Sequence, residues 1–231
     1  MAKGKFIVID GADGSGKATQ AGLLVQRLKK EKRKVKKIDF PQYENNFFGQ
    51  LLGECLAGEY GDFIALSPRI ASVLYAADRW ESSENLKKWL RAGYIIVADR
   101  YVSANQIHQG GKIANSKERR KFLEWLDRME FGVFGIPRPN TIIYLHVPVM
   151  IGQKLLKKRV RDNRKNKTVK AKKDLAESNL KYLAEAQTSA IRIIKKNNAW
   201  QMIDCVRKEK ILDREEIHQM IYDKLKKIIN S

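Results

Sequence analysis

"KFIVIDGADGSGKATQ", Lys5 to Gln20, begins with an apolar run, turns through Gly11, Gly14 and Gly16, and continues with Ala21, Leu24, Val25 and Leu28 at helical spacing. Strand, glycine turn and helix in that order are the context in which Gly, four residues and Gly-Lys-Ser/Thr hold nucleotide phosphates. The glycines let the backbone turn tightly and aim successive N–H groups at phosphate oxygens, and the helix adds its positive end. Lys17 supplies a mobile cation. One part is displaced: Ala18 stands where a magnesium-ligating hydroxyl belongs, and Thr19 follows one position late. Magnesium keeps several water ligands in such sites, so water, Asp13, Thr19 or Asp99 can replace the lost ligand. The expected nucleotide-binding residues are Gly11, Asp13, Gly14, Ser15, Gly16, Lys17, Ala18 and Thr19.

Working outward, "VKKIDF" reads as a second strand closed by Pro41, and "QLLGECLAG" as an apolar segment after the loop through Gly49. A single long helix is expected from Ser67 to Arg91. "YIIVAD" (Tyr94–Asp99) and "TIIYLHV" (Thr141–Val147) are uninterrupted apolar runs, as suits strands covered on both faces. Helices are expected over Ser116–Glu130, Val149–Arg161 and Asp174–Lys196, with a fifth strand in "AWQMIDC". The closing segment "DREEIHQMIYDKLKKII" is an amphipathic helix with Asp213 and Glu216 at capping-box spacing. The alternation predicts an α/β, three-layer fold of P-loop NTPase type with a central five-stranded parallel sheet flanked by helices. It is expected to be one domain over residues 1–231, without internal repeats.

A formal charge of +20 attracts polyanions. Half of it lies between Lys154 and Lys173, where eleven Lys or Arg meet one acid, Asp162. The lysines elsewhere fall mostly on solvated helix faces. Cys55 and Cys205 are far apart and lack Cys-x-x-Cys spacing, which speaks for two buried thiols and against a disulfide framework or zinc site. No membrane-spanning run is present, and the N-terminus lacks the pattern of a signal peptide, so a cytoplasmic location is expected.

Several blocks now carry a resemblance. "GSGKATQ", "FPQY" (Phe40–Tyr43), "LYAADRWE" (Leu74–Glu81) and "DRYVSANQIHQGGK" (Asp99–Lys112), in that order and at those separations, resemble thymidylate kinase, from Lys5 to about Leu183. The resemblance implies ATP-dependent phosphorylation of dTMP to dTDP with Mg²⁺, in a homodimer. It makes the loop residues the ATP site and implies a dTMP site of Asp13, Phe40, Pro41, Tyr75, Arg79, Arg100, Asn105 and His108.

A kinase of this kind holds two polyanions in line and neutralises the charge that develops between them. Arg100, directly after an apolar strand, is placed to grip the acceptor phosphate with its planar fork. Asp99 is implied near the magnesium; a structural Asp–Arg pair is the plainer alternative. Tyr75 and Arg79 are four apart and share a helical face, so a ring can stack on a base while a fork reads its edge; a surface cation–π pair is the alternative. By resemblance, Tyr75 lies over thymine, Arg79 reaches O4, Asn105 meets the N3/O2 edge, and His108 stands beside C2′. Asp13 is implied near the sugar 3′-hydroxyl or the metal's waters.

Two positions depart from the family pattern. Tyr43 stands where many members place an arginine on the acceptor phosphate, and Gly14 occupies a position that is arginine in one class. In the other class a mobile lid carries the catalytic arginines. "KKRVRDNRKNKTVKAKK" fits that description, so a lid at about 157–173 is expected, with Arg159, Arg161 and Arg164 joining Lys17 and Arg100 as catalytic residues. A solvated charge run is the alternative there. Other readings of the whole chain are a kinase of another nucleotide or nucleoside, and a basic nucleic-acid-binding protein. The last is disfavoured because no base-stacking RNA motif is present.

Overall fold

The computed structural model describes residues 4–156 and 180–231. In β1 (Lys5–Gly11) the residues from Phe6 to Gly11 are buried, because helices cover both faces. Side chains alternate across a strand. Phe6 and Val8 therefore enter one core layer with Ile96 and Ala98, while Ile7 and Ile9 enter the other with Leu24, Leu28 and Ile221. β1 is central in a five-stranded parallel sheet with β2 (Val35–Asp39), β3 (Ile95–Asp99), β4 (Thr141–His146) and β5 (Trp200–Asp204). The strand order is β2-β3-β1-β4-β5. The expected three-layer α/β architecture is therefore observed.

Register positions the site. Ile9 lies opposite Asp99 in β3 and Ile143 in β4, so the glycine loop after β1 and the Asp99–Arg100 corner after β3 emerge side by side. The chain leaves β1 toward β2 and leaves β3 toward β4, in opposite directions. Such a switch point opens a crevice beyond the carboxyl ends of the strands.

α1 (Lys17–Lys30) buries Ala21, Leu24, Val25 and Leu28, as the spacing predicts. α2 (Phe47–Ala57) follows the second strand. The single helix expected from Ser67 to Arg91 is instead two, α3 (Pro68–Glu81) and α4 (Ser83–Arg91). The cause lies in Asn46. Its Oδ1 caps α2 by accepting from the Gly49 N–H at 2.7 Å, and its Nδ2 takes the Asp78 carbonyl at 3.1 Å. That carbonyl is the one a continuous helix would offer to Ser82, whose N–H turns to Trp80 instead.

α5 (Val102–Gly111) and α6 (Ser116–Asp127) follow β3. The helix expected to reach Glu130 passes into a π-helical turn at Arg128–Val133. Residues 149–156 form α7, and α8 spans Leu180–Ile194. The expected lid at 157–173, with Arg159, Arg161 and Arg164, lies outside the described residues. A hairpin of β6 (Val206–Arg207) and β7 (Lys210–Ile211) precedes α9 (Arg214–Asn230). The expected capping box is not formed. Asp213 makes no side-chain cap, and Glu216 accepts from Arg207 at 2.9 Å. Cys55 and Cys205 are buried free thiols, as expected. Among the described residues, no helix is long and apolar enough to cross a membrane.

Candidate active site

The loop between β1 and α1 is shaped by left-handed residues. Gly14 has φ 80° and Gly16 has φ 89°, a region that side chains resist. A Cβ on Gly14 would also stand 2.7 Å from the Gly152 carbonyl of α7. The arginine that one class carries here has no room in this chain. Asp10, fully buried, accepts from the Gly11 N–H at 2.7 Å and from the Ser103 hydroxyl at 2.5 Å, which ties the start of the loop to α5. Lys17 is buried and donates to the Ala12 carbonyl at 3.0 Å and to Asp13 at 3.4 Å. Burial, and then Arg100, lower its pKa from the ordinary value.

Arg100 adopts φ 64°, and its N–H bonds the Ile9 carbonyl at 2.9 Å. A non-glycine residue in that region costs on the order of 1 kcal/mol. From this corner the guanidinium spans the gap to Asp13, to which Nη2 donates. Asp13 thus gathers both cations. Burial opposes its charge, but Arg100 and Lys17 together hold its carboxyl well below the usual carboxylate range. Arg100 Nη1 lies 3.3 Å from His108 Nε2. As a guanidinium only donates, Nε2 accepts and the ring proton belongs on Nδ1. Burial, and then Arg100, push the His108 pKa down to about 3, so the ring is neutral in ordinary buffers. It stacks on Tyr182, with centroids 5.6 Å apart.

Across the crevice, Tyr75 meets Phe63 edge-on at 5.8 Å, and Phe40 leans on Tyr101 at 5.5 Å. Arg79 shares the α3 face with Tyr75, but a surface cation–π pair is not what forms. Arg79 is 2% exposed, and its fork is filled by Glu130, with Nε to Oε2 at 2.7 Å and Nη2 to Oε1 at 2.6 Å. Burial disfavours its charge, yet Glu130 outweighs this and raises its pKa. Only Nη1 lies outside the bidentate pair, 3.4 Å from the Tyr101 carbonyl. Asn105 is buried beside them.

A cavity of about 800 Å³ opens among these groups. Of the expected site residues, the cavity brings together Asp13, Gly14, Ser15, Gly16, Lys17, Ala18, Thr19, Phe40, Pro41, Tyr75, Arg79, Asp99, Arg100, Asn105 and His108. Gly11 is not part of the lining. Sequence reasoning missed Gln20, Gln109, Tyr182, Leu212 and Arg214, which also line it. Gln109 lies within a motif already singled out, so its place in that block was the signal. Leu212 and Arg214 depend on the unforeseen hairpin and had none.

A sequence model of the family described as thymidylate kinase matches residues 9–221, nearly the whole chain. The chain belongs to the thymidylate kinase family. It is 34% identical over 146 residues to a thymidylate kinase of Plasmodium falciparum, covering 63% of each chain. It is 30% identical over 142 residues to a thymidylate kinase of Mycobacterium tuberculosis, covering 62% of this chain and 65% of that one. The matches thus span a little under two thirds of these two relatives. A probable thymidylate kinase of Thermococcus onnurineus is 34% identical over 185 residues, 78% of this chain and 84% of that one. The fold resembles the solved thymidylate kinase of Candida albicans with a TM-score of 0.74 at 23% identity, over 100% of this chain and 94% of that one.

Thymidylate kinases are ATP-dependent and generally use a divalent metal. The crevice fits one. Asp99 Oδ1 is buried without a hydrogen-bond partner among the described residues, and burial raises the Asp99 pKa, a penalty a nearby cation would relieve. Thr19 is exposed and lines the same cavity. Asp13 has already committed Oδ1 to Arg100 and Lys17. Among the described residues, no three His, Cys, Asp or Glu gather as a metal cluster. The oxygens present suit a hard cation held largely by phosphates and water.

Proposed function

We propose that this chain transfers the γ-phosphoryl group of ATP to the phosphate of dTMP, forming dTDP and ADP. The observation that carries this reading is the meeting of Lys17 and Arg100 on Asp13 where the ends of β1 and β3 open into one cavity. Each cation emerges from its own strand end, so each can hold a different phosphate while a shared carboxylate fixes their separation. The amides of the Gly11–Lys17 loop and the Lys17 ammonium take the donor phosphates; Arg100 takes the acceptor phosphate. An acceptor oxygen attacks the γ-phosphorus in line as the bond to the β,γ-bridging oxygen breaks, and ADP leaves with that electron pair.

Positioning and electrostatic stabilisation do this work. A phosphate nucleophile already carries its charge, so no general base is required, and the neutral His108 serves as the acceptor that orients Arg100. Bound Mg²⁺, which Asp99 and Thr19 would hold with water, supplies charge neutralisation between the phosphates. Tyr75 stacks on thymine, Arg79 addresses O4, Asn105 addresses N3, and Phe40 and Pro41 close the far wall. Arg159, Arg161 and Arg164 act as the lid arginines, since Gly14 leaves the loop without one.

We also infer a cytoplasmic homodimer. Ile70, Val73, Ala77 and Trp80 recur along α3 at three- and four-residue spacing, and Ile70, Val73 and Trp80 are 57%, 40% and 52% exposed. An apolar helical stripe open to water supports pairing with a second copy. Coupled assays of ADP release with dTMP, dUMP, dCMP, AMP and thymidine test the activity. A preference for dTMP is expected, and its absence would overturn the reading.

A further inference from the structure

We infer that Glu130 is a positioning residue that decides which pyrimidine the site accepts, by fixing the donor and acceptor order of Arg79 and Asn105. Glu130 is fully buried on the π-helical turn after α6 and touches both residues. Its grip on Arg79 is bidentate, at 2.6 and 2.7 Å. Its Oε1 also accepts from Asn105 Nδ2 at 3.3 Å, and that same nitrogen donates to the Ser72 carbonyl at 3.2 Å.

Both partners of Asn105 Nδ2 are acceptors. An amide turned the other way would set Oδ1 against a carboxylate and a carbonyl, so the orientation is dictated. With both amide hydrogens engaged, Oδ1 is the atom left for a ligand, and it only accepts. Arg79 only donates. The pair therefore offers a donor beside an acceptor, complementary to the O4 acceptor and N3–H donor of thymine or uracil. Cytosine carries a donor at N4 and an acceptor at N3, so it would meet donor with donor and acceptor with acceptor. Leaving buried polar groups unpaired in this way is how a site rejects an analogue.

Stability alone does not account for Glu130. Replacing a whole buried ion pair by apolar residues is often neutral, so the pair is weak evidence for a stabilising role. What its contacts do set is the orientation of Arg79 and Asn105. In Glu130→Gln a side-chain amide replaces the carboxylate. One of its ends must donate. At the Oε1 position it opposes both Arg79 Nη2 and Asn105 Nδ2 and releases the Asn105 amide to turn over; at the Oε2 position it opposes Arg79 Nε and breaks the bidentate grip.

This inference rests on the dTMP reading proposed above, and the test separates the two. Steady-state kinetics of the full chain and of Glu130→Gln are compared with dTMP, dUMP and dCMP. The variant is expected to raise KM for dTMP about tenfold or more while kcat stays within about threefold. The preference for dTMP over dCMP should fall at least about tenfold, and that for dTMP over dUMP should hold, since uracil has the same edge. Glu130→Asp keeps the charge and should recover part of the discrimination. Unchanged KM and unchanged selectivity, with wild type active on dTMP, overturn the role of Glu130 alone; a wild type inactive on dTMP overturns the proposed function itself. A measurement on the wild-type protein needs no variant: both Asn105 side-chain amide protons should exchange slowly with solvent by NMR without nucleotide, and fast exchange overturns the locked orientation.

Discussion

Asp13 accepts from Arg100 across the gap between the β1 loop and the β3 corner, and the same carboxylate oxygen receives Lys17 at 3.4 Å. The anion fixes the spacing of two cations before any nucleotide arrives. Asp13→Asn should leave Lys17 and Arg100 facing each other unscreened and lower kcat/KM for dTMP about tenfold or more. The same substitution bears on acid stability. The unfolded carboxyl titrates at its ordinary 3.8 and the folded one below it, so the Asp13 contribution is complete above 3.8 and fades as pH falls further. Melting curves of wild type and Asp13→Asn should converge on acidification; a gap that widens in acid would contradict this.

His108 gives the opposite kind of titration. It is neutral and buried with its pKa near 3, against an ordinary 6.5. Between those values the unfolded chain binds a proton that the folded chain refuses, so stability declines as pH drops through that window. In His108→Gln the decline should be shallower, as measured by Tm against pH. The kcat profile should show no inflexion near 6.5 arising from this ring, and one that vanished in the variant would refute its neutral state.

The division of labour between cations and ring is measurable. Replacing Arg159, Arg161 and Arg164 together by Ala should depress kcat on the order of a thousandfold while dTMP affinity, read by calorimetry, stays close to wild type. Equal turnover in the triple variant would remove these arginines from the reaction.

Tyr75→Ala should weaken dTMP binding by about 1–3 kcal/mol, the range measured for loss of an aromatic platform under a base. Calorimetric titration gives the answer directly, and wild-type affinity would take Tyr75 out of the base site.

On α3, Ile70→Asp with Val73→Asp places charges on the exposed stripe, away from the crevice. Sedimentation velocity should show the dimer dissociating. A species already monomeric in wild type would remove the pairing inferred from that stripe.

Much of this arrangement was legible beforehand because it rests on local chemistry. Lys5–Gln20 declares strand, loop and helix through hydrophobic spacing and glycine, and the burial of Ala21, Leu24, Val25 and Leu28 follows from that spacing. The rest depended on partners remote in sequence. The break at Ser82 is made by Asn46, 36 positions away, and nothing near Ser82 announces it. Arg79 was readable as a donor toward the crevice, but its capture by Glu130 joins residues 51 apart through a turn that the helical pattern of Ser116–Glu130 conceals. The β6–β7 hairpin turns through Lys208 and Glu209 at φ 48° and 60°, in residues that give no turn signal. Asp213 and Glu216 had the right spacing for a cap, but Arg207 claimed the glutamate.

Arg100 and Asn105 lie on one unbroken stretch of chain, the corner after β3 and the first turn of α5. Arg100 and Tyr101 precede the helix, which begins at Val102. The Arg100 N–H bonds the Ile9 carbonyl at 2.9 Å and the Ala104 N–H bonds the Tyr101 carbonyl at 3.1 Å, which pins the reach between Arg100 and Asn105 at both ends. On the proposed reading, with the acceptor phosphate on Arg100 and the base edge on Asn105, the segment would serve as a gauge cut to a single length. A nucleoside lacking its phosphate would leave the Arg100 end unfilled.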